Sequence, residues 1–130
     1  MTVDHIGYAV KKIDKSRVIF EKLGFSFENL YIDEKRNLKI LFGNNDHERI
    51  ELLEVNDIEK KSPIDLYISK IGPTPYHICY KSNSIIEDIN FLKKIGFIVV
   101  LSPEPAIAFN DKNVAFLYQK DVGMIELVEE

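Results

Sequence analysis

The 130-residue chain has no tryptophan, one cysteine and no apolar run approaching the ~20 residues that cross a bilayer. The lone cysteine, Cys79, excludes an intramolecular disulfide framework. It lies inside an alternating apolar stretch and reads as a small core residue rather than a nucleophile. Basic clusters are missing too. The net charge is −4, and Lys11-Lys12, Lys60-Lys61 and Lys93-Lys94 are isolated pairs that read as solvated surface. Nucleic-acid binding would call for a basic stripe, so no nucleic acid is expected as a partner, and no membrane. The first residues, Met1 to His5, enter a strand pattern at once and carry no signal-peptide signature, which makes a cytoplasmic location the expectation. With 45% apolar and 29% charged residues, the composition is that of an ordinary globular domain.

What the chain does have is a repeat. His5-Ile6-Gly7-Tyr8 leads into a helical pattern that closes at Leu23-Gly24-Phe25. His77-Ile78-Cys79-Tyr80 leads into another that closes at Ile95-Gly96-Phe97. Superposed without a gap, these two 21-residue stretches share seven positions: His, Ile, Tyr, Ile, Lys, Gly and Phe. A second echo follows each copy, Arg49-Ile50-Glu51-Leu52-Leu53-Glu54 and Met124-Ile125-Glu126-Leu127-Val128-Glu129. The chain therefore reads as one domain, 1–130, built from two copies of a unit. The expected boundaries are 1–55 for the first, 56–74 for a linker with a short helix, and 75–130 for the second.

Within each copy the periodicity predicts β-α-β-β-β. In the first, Val3 to Val10 alternates as a strand. A helix follows from about Lys15, with Asp14 or Ser16 as its cap and Val18, Ile19, Phe20 and Leu23 on its apolar side. Strands are expected over 25–32, 38–42 and 49–55. In the linker, Ser62-Pro63 starts a short helix over 64–71. The second copy begins with a strand over 76–81. Ser84 and Glu87 match a capping box, and Ile85, Ile89, Leu92 and Ile95 follow helical spacing. Ser102-Pro103-Glu104-Pro105 interrupts the next strand, making it short or placing it at an edge. The last hairpin spans 114–119 and 124–129.

Each helix must pack on one face of its own strands, and that face takes Ile6, Tyr8, Val10, Ile50 and Leu52, then Tyr76, Ile78, Tyr80, Ile125 and Leu127. His5, Glu51, His77 and Glu126 then point to the opposite face. Taken singly, a strand His is more often structural, and a Glu in an Ile-Glu-Leu strand is more often only the solvent-facing partner. Recurrence at matching positions favours joint metal ligation if the copies assemble about an approximate two-fold axis. Two imidazoles and two carboxylates make a mixed N/O donor set suited to Zn, Ni, Co, Mn or Fe, with positions left for water or substrate. Glu54 and Glu129 also recur, but on the helix side near strand ends, where solvation is expected. His47 lies in a polar turn and reads as surface.

Asp4-His5-Ile6-Gly7-Tyr8-Ala9-Val10, Lys22-Leu23-Gly24-Phe25, Ile50-Glu51-Leu52-Leu53-Glu54, Tyr76-His77-Ile78-Cys79-Tyr80 and Ile125-Glu126-Leu127-Val128-Glu129 together resemble the vicinal oxygen chelate superfamily. That group includes glyoxalase I, methylmalonyl-CoA epimerase, extradiol dioxygenases and bleomycin or fosfomycin resistance proteins. The resemblance implies an α+β fold of two βαβββ modules forming an eight-stranded, U-shaped half-barrel. It also implies His5, Glu51, His77 and Glu126 as ligands of a divalent metal ion, and a homodimer. Extradiol dioxygenases typically use two His and one Glu, and fosfomycin enzymes rely on several Arg, of which this chain has only Arg17, Arg36 and Arg49. Glyoxalase I and the epimerase both use four such ligands. The bacterial glyoxalase I arginine on the first strand is replaced by Ala9, and the epimerase's extra carboxylate on the third strand falls at or near Lys39.

The activity implied is proton abstraction beside a carbonyl in a small acyl or thioester substrate, by an isomerase, epimerase or glyoxalase-like lyase. Glu126 is the first candidate for the base and Glu51 the second; Lys39 and Tyr80 are further possibilities, more in keeping with surface and core. The helix near 62–72 and the 102–108 loop would be the covering pieces. The alternatives are a non-catalytic module that binds or sequesters a small molecule, and an inert structural dimer.

Overall fold

A computed structural model describes all 130 residues. Its elements in chain order are β1 (Thr2–Ala9), α1 (Ile13–Lys22), β2 (Ser26–Asp33), β3 (Leu38–Asn44), β4 (Arg49–Val55), α2 (Asp65–Lys70), β5 (Thr74–Ser82), α3 (Ile85–Lys94), β6 (Ile98–Pro105), a 3-10 turn (Ile107–Phe109), β7 (Asn113–Gln119) and β8 (Gly123–Glu129). This is the α+β, twice-repeated βαβββ order anticipated above. All eight strands belong to one open sheet, ordered β2-β3-β4-β1 through the first repeat and β5-β8-β7-β6 through the second. Two compact units divide the chain, His5–Tyr76 and His77–Glu130 with Met1–Asp4. The first residues of β1 thus pack with the second unit, where Asp4 Oδ1 lies 3.9 Å from Lys81 Nζ.

In the first unit β1 runs parallel to β4, while β4–β3 and β3–β2 are antiparallel. The core between these strands and α1 holds Val10, Ile13, Leu41, Ile50 and Leu52, ringed by Tyr8, Phe20, Phe25 and Phe27. Tyr8, Phe20 and Phe25 meet edge to face, with centroids 5.3 and 5.7 Å apart. Here α1 departs from its sequence reading. It starts at Ile13, and neither Asp14 nor Ser16 caps it; its N-cap, Lys12, has no side-chain bond to the helix. The carboxylate of Glu54, reaching from β4, accepts the Ile13 N–H at 2.7 Å instead. The stripe turned to the sheet runs through Ile13, which is buried, and Ser16 and Phe20, which are partly buried, at i, i+3 and i+7. Val18, Ile19 and Leu23 fall off that stripe and are at least half exposed. Glu54 itself is buried rather than solvated, because it serves the helix end.

Asn37 ties the linker to the β2–β3 turn. Its φ of +59° suits the left-handed region that Asn tolerates. Its Nδ2 donates to the carbonyls of Asp57 and Lys60 at 2.9 and 3.1 Å, and its Oδ1 accepts the Asp57 N–H at 2.8 Å. The Asn37 carbonyl accepts the Asn56 N–H as well. The short helix α2 follows, its entry held by Ser62, whose N–H and hydroxyl both donate to the Asp65 carboxylate.

In the second unit β5 runs parallel to β8, with β8–β7 and β7–β6 antiparallel. Ile85, Ile89 and Leu92 of α3 pack on Ala115, Leu117, Ile125 and Leu127. Ile95, past the last buried turn, is exposed. Ser84 is the N-cap of α3, yet no capping-box bond forms; Asp88 accepts the hydroxyl hydrogen of the buried Ser82 instead. The prolines do not end β6. It continues to Pro105 through two register shifts against β7, and it is the last strand of the sheet order, where a missing N–H breaks no ladder.

Two stability outcomes follow from these ties. Asn37→Ala should cost about 2–4 kcal/mol, combining left-handed strain with stranded linker groups, whereas Asn37→Gly, which removes only the side-chain bonds, should cost less; urea denaturation midpoints separate the two. Glu54→Ala, which strands the Ile13 N–H, should cost about 1–3 kcal/mol, and Glu54→Gln, which keeps an acceptor, should recover most of it by the same measurement.

Candidate metal centre

Ile50 and Leu52 face the α1 core, so Glu51 faces the other side of β4. Tyr8 and Val10 face the same core, so His5, Gly7 and Ala9 share the face of Glu51. The parallel register pairs Gly7 with Glu51, which sets His5 one side-chain step before Glu51 on the neighbouring strand. His5 Nε2 lies 3.3 Å from Glu51 Oε1, with both side chains 5% exposed or less. The second unit repeats this placement. Ile125 and Leu127 face the α3 core, Cys79 pairs with Glu126, and His77 stands two residues before Cys79. His77 Nε2 lies 3.0 Å from Glu126 Oε2, again with both side chains buried.

Each unit therefore buries one imidazole against one carboxylate, where either group alone would be costly. The separation suits two kinds of partnership. It fits an N–H···O bond. It fits equally well two neighbouring ligands of one ion, since ligand distances of about 2.1 Å put adjacent donors roughly 3.0–3.4 Å apart in octahedral or tetrahedral geometry. Imidazole nitrogens with carboxylate oxygens are an accepted donor set for a first-row divalent ion. The chain thus holds buried His/Glu groups able to bind a metal.

A third duplicated residue escaped the sequence reading. Phe42 pairs in register with Glu51, and Phe116 with Glu126. The Phe42 ring meets the His5 ring edge to face at 5.4 Å and 81°; Phe116 meets His77 at 5.3 Å and 88°. Each aromatic ring thus fixes the plane of its imidazole. Phe42 follows His5 by 37 residues and Phe116 follows His77 by 39, so a gapless overlay does not align them.

Around these pairs the units differ. In the second, Cys79, Ala106, Val114 and Val128 form an apolar floor with Phe109 and Phe116 against it. Cys79 is fully buried there, as a small core residue. In the first, Arg49 precedes Glu51 by two residues, and its guanidinium carbon lies 4.0 Å from the centroid of Phe42. Glu28 stands 3.8 Å from Arg49 Nη2 and accepts an amide hydrogen from Asn44 at 2.6 Å.

Lys39 is drawn away from the ligand face: it pairs in register with Glu54, and its Nζ lies 3.6 Å from Glu54 Oε2. Tyr80 packs against the α3 core. Neither stands where a base would serve His5, Glu51, His77 or Glu126. His47 is exposed in its turn. Glu129, the counterpart of Glu54, caps no helix. Its carboxyl is held below the usual carboxylate range, chiefly by the Asn113 backbone N–H, then by the Asn113 side-chain amide, with the positive charge of Lys112 adding to both.

The chain belongs to the Glyoxalase/Bleomycin resistance protein/Dioxygenase superfamily, whose family model matches residues 4–116. This is the vicinal oxygen chelate group that the sequence resembles. The uncharacterized protein YqjC of Bacillus subtilis (strain 168) is 27% identical over 130 residues, covering 98% of this chain and 91% of that protein. Among solved structures, the hypothetical protein BH1468 from Bacillus halodurans C-125 superposes with a TM-score of 0.86 at 28% identity, covering 99% of this chain and 94% of that one. Methylmalonyl-CoA epimerase from Mycobacterium tuberculosis superposes at 0.83 with 22% identity, covering 98% and 87%. A variant of the Streptomyces coelicolor methylmalonyl-CoA epimerase, in complex with 2-nitronate-propionyl-CoA, superposes at 0.84 with 22% identity, covering 100% and 97%. At that identity the two epimerases establish a shared fold.

Proposed function

We propose that His5, Glu51, His77 and Glu126 hold one divalent metal ion, one of Zn, Ni, Co, Mn or Fe, and that the protein moves a proton on the carbon beside a carbonyl. The reaction class is that of an epimerase, isomerase or glyoxalase-like lyase acting on a small acyl or thioester substrate. The observation that carries this reading is the repeated buried pair: imidazole against carboxylate at 3.3 Å in one unit and 3.0 Å in the other, in the same strand register. A carboxylate placed so would be a poor structural choice twice over unless its charge were used. Epimerases of this fold, one of them solved with methylmalonyl-CoA, favour an acyl thioester over a hemithioacetal as substrate class.

A divalent ion there would supply Lewis acidity to two substrate oxygens, lowering the cost of negative charge beside the carbonyl. The chain's own residues supply the rest. Nε2 of His5 and of His77 offer neutral donors, and Phe42 and Phe116 hold those rings in plane. Glu126 takes the substrate proton. Its Oε2 faces His77, so Oε1 is the oxygen for that task; Glu51, whose Oε1 faces His5, is the second candidate for the base, through Oε2. Carboxylates bound beside a cation are weak bases, so each must loosen before it takes the proton. A homodimer in the cytoplasm belongs to the same reading. The exposed Val18, Ile19 and Leu23 of α1 support an association surface, and no helix is long and apolar enough to cross a membrane.

Elemental analysis of purified protein should find one metal ion per chain, falling to trace in His77→Ala with the fold retained by circular dichroism. Retained stoichiometric metal in that variant would show that the ligands are other residues. The metal-loaded protein in D2O should place deuterium at the acidic carbon of methylmalonyl-CoA, and Glu126→Gln should slow this by about 100- to 10,000-fold per bound metal. Tight stoichiometric binding of acyl-CoA without exchange would instead identify a sequestering protein.

A further inference from the structure

The ligand face of the second unit carries an apolar row outside the His77 and Glu126 pair. Phe116 pairs with Glu126 on that face, so Tyr118 and Met124, each two residues further and paired with one another, share it. Ile98 pairs with Tyr118 from the edge strand, while its neighbour Val99 packs on the α3 core. Cys79 pairs with Glu126, so His77, two residues before Cys79, lies level with Met124. The sheet order β5-β8-β7-β6 therefore sets His77, Met124, Tyr118 and Ile98 in one line across the strands. Strand spacing makes that line roughly 14 Å long.

The fold does not call for apolar side chains there. Tyr118 is 39% exposed and Ile98 62%, and Met124 is partly buried. The repeat fills the same backbone positions otherwise. Level with His5 stand Arg49, Asn44 and Ser26, paired in the same order across β4, β3 and β2. Arg49 is engaged with Phe42 and Glu28, and Asn44 with Glu28. The scaffold thus accepts polar residues along this line. In the second unit three adjoining apolar side chains face water instead, which is unfavourable unless something covers them. The line begins at an imidazole of the donor set, so a molecule chelated there reaches it without leaving the face. Met124 comes first along it, and a flexible, polarizable thioether adapts to tails of different shape.

We propose that Met124, Tyr118 and Ile98 form a specificity-determining apolar track that receives an uncharged, extended alkyl substituent of the substrate, next to its metal-chelating oxygens. This rests on the metal centre proposed above. The substrate class narrows to acyl compounds with an apolar tail beside the chelating group. The three side chains touch no reacting atom; they take the tail out of water.

A series of 2-oxo acids tests this with the metal-loaded full chain. Pyruvate, 2-oxohexanoate and 2-oxooctanoate share their chelating oxygens and differ in tail length, and 2-oxoglutarate ends its tail in a carboxylate. Dissociation constants are measured by calorimetry for the unsubstituted protein and for Ile98→Thr combined with Met124→Gln, each with its metal content determined. In the unsubstituted protein each added methylene should tighten binding about 2- to 4-fold, and 2-oxoglutarate should bind more weakly than 2-oxohexanoate. The double substitution should remove most of the gain with tail length and leave pyruvate binding unchanged. A flat series in the unsubstituted protein would overturn the proposal, as would 2-oxoglutarate binding as tightly as 2-oxohexanoate. A gain with tail length that survives the double substitution would place the tail elsewhere and overturn it too. So would unchanged affinities accompanied by loss of a dimer in sedimentation, which would make the track a surface covered by a second copy of the chain. Absence of stoichiometric metal in the unsubstituted protein would overturn the metal centre itself, a result that the metal determination registers separately.

Discussion

The strand register set by the core governs everything else in this molecule. Because side chains alternate along a strand, a slip of one residue in β4 would carry Ile50 and Leu52 out of the α1 core and turn Glu51 into it. Burying a charge there while exposing two aliphatic side chains would cost several kcal/mol. The same holds for Ile125, Leu127 and Glu126 beneath α3. Hydrophobic packing on one face therefore fixes the imidazole–carboxylate pairing on the other. The pairing needs no stabilisation of its own to be well placed, and residues chosen for chemistry can sit there without having to fold the chain.

That division of labour explains which features of the repeat persist and which do not. The helix-side cores, the parallel register and the His, Glu and Phe of each ligand face recur. The supporting contacts differ. Glu54 closes the start of α1 from β4, whereas Glu129 holds Asn113 and leaves α3 to other means. Asn37 staples the linker in the first unit, while the second covers its apolar floor with Ala106 and Phe109 of the 3-10 segment. Arg49 stands where the second copy has Met124. Two copies of one scaffold thus present similar donors in unlike settings.

The fold was legible because its signals are local and repeated: the His-to-Phe motif, glycines 24 and 96 at positive φ after each helix, and strands of alternating parity. The Ile-Glu-Leu echoes made the face of each glutamate legible as well. Misreadings arose where a distant residue replaced a local one. Asp14 looked like a cap, but the α1 terminus is served from β4; Ser84 does stand at the N-cap of α3, but without the capping-box bond that Glu87 suggested, and Asp88 engages Ser82. Val18, Ile19 and Leu23 looked like a core stripe, yet α1 meets the sheet along Ile13, Ser16 and Phe20. Glu54 looked solvated because nothing near it in sequence explains its burial. Phe42 and Phe116 were hidden by unequal spacing, and only the pairing of β3 with β4 and of β7 with β8 makes them equivalent.

A buried imidazole–carboxylate pair can be purely structural, bonded through one N–H and indifferent to metal. Energetics speaks against that here. Replacing such a pair by apolar residues of similar volume is often neutral or stabilising, and the surroundings would accept the exchange, since Phe42 in one unit and Val114, Val128 and Phe116 in the other are already apolar. A scaffold under no chemical demand would be expected to lose the pair from at least one of its two copies. Both retain it, with the aromatic prop beside each imidazole and a cation added to one side only. The costly part of the structure is the part that its repeat has kept.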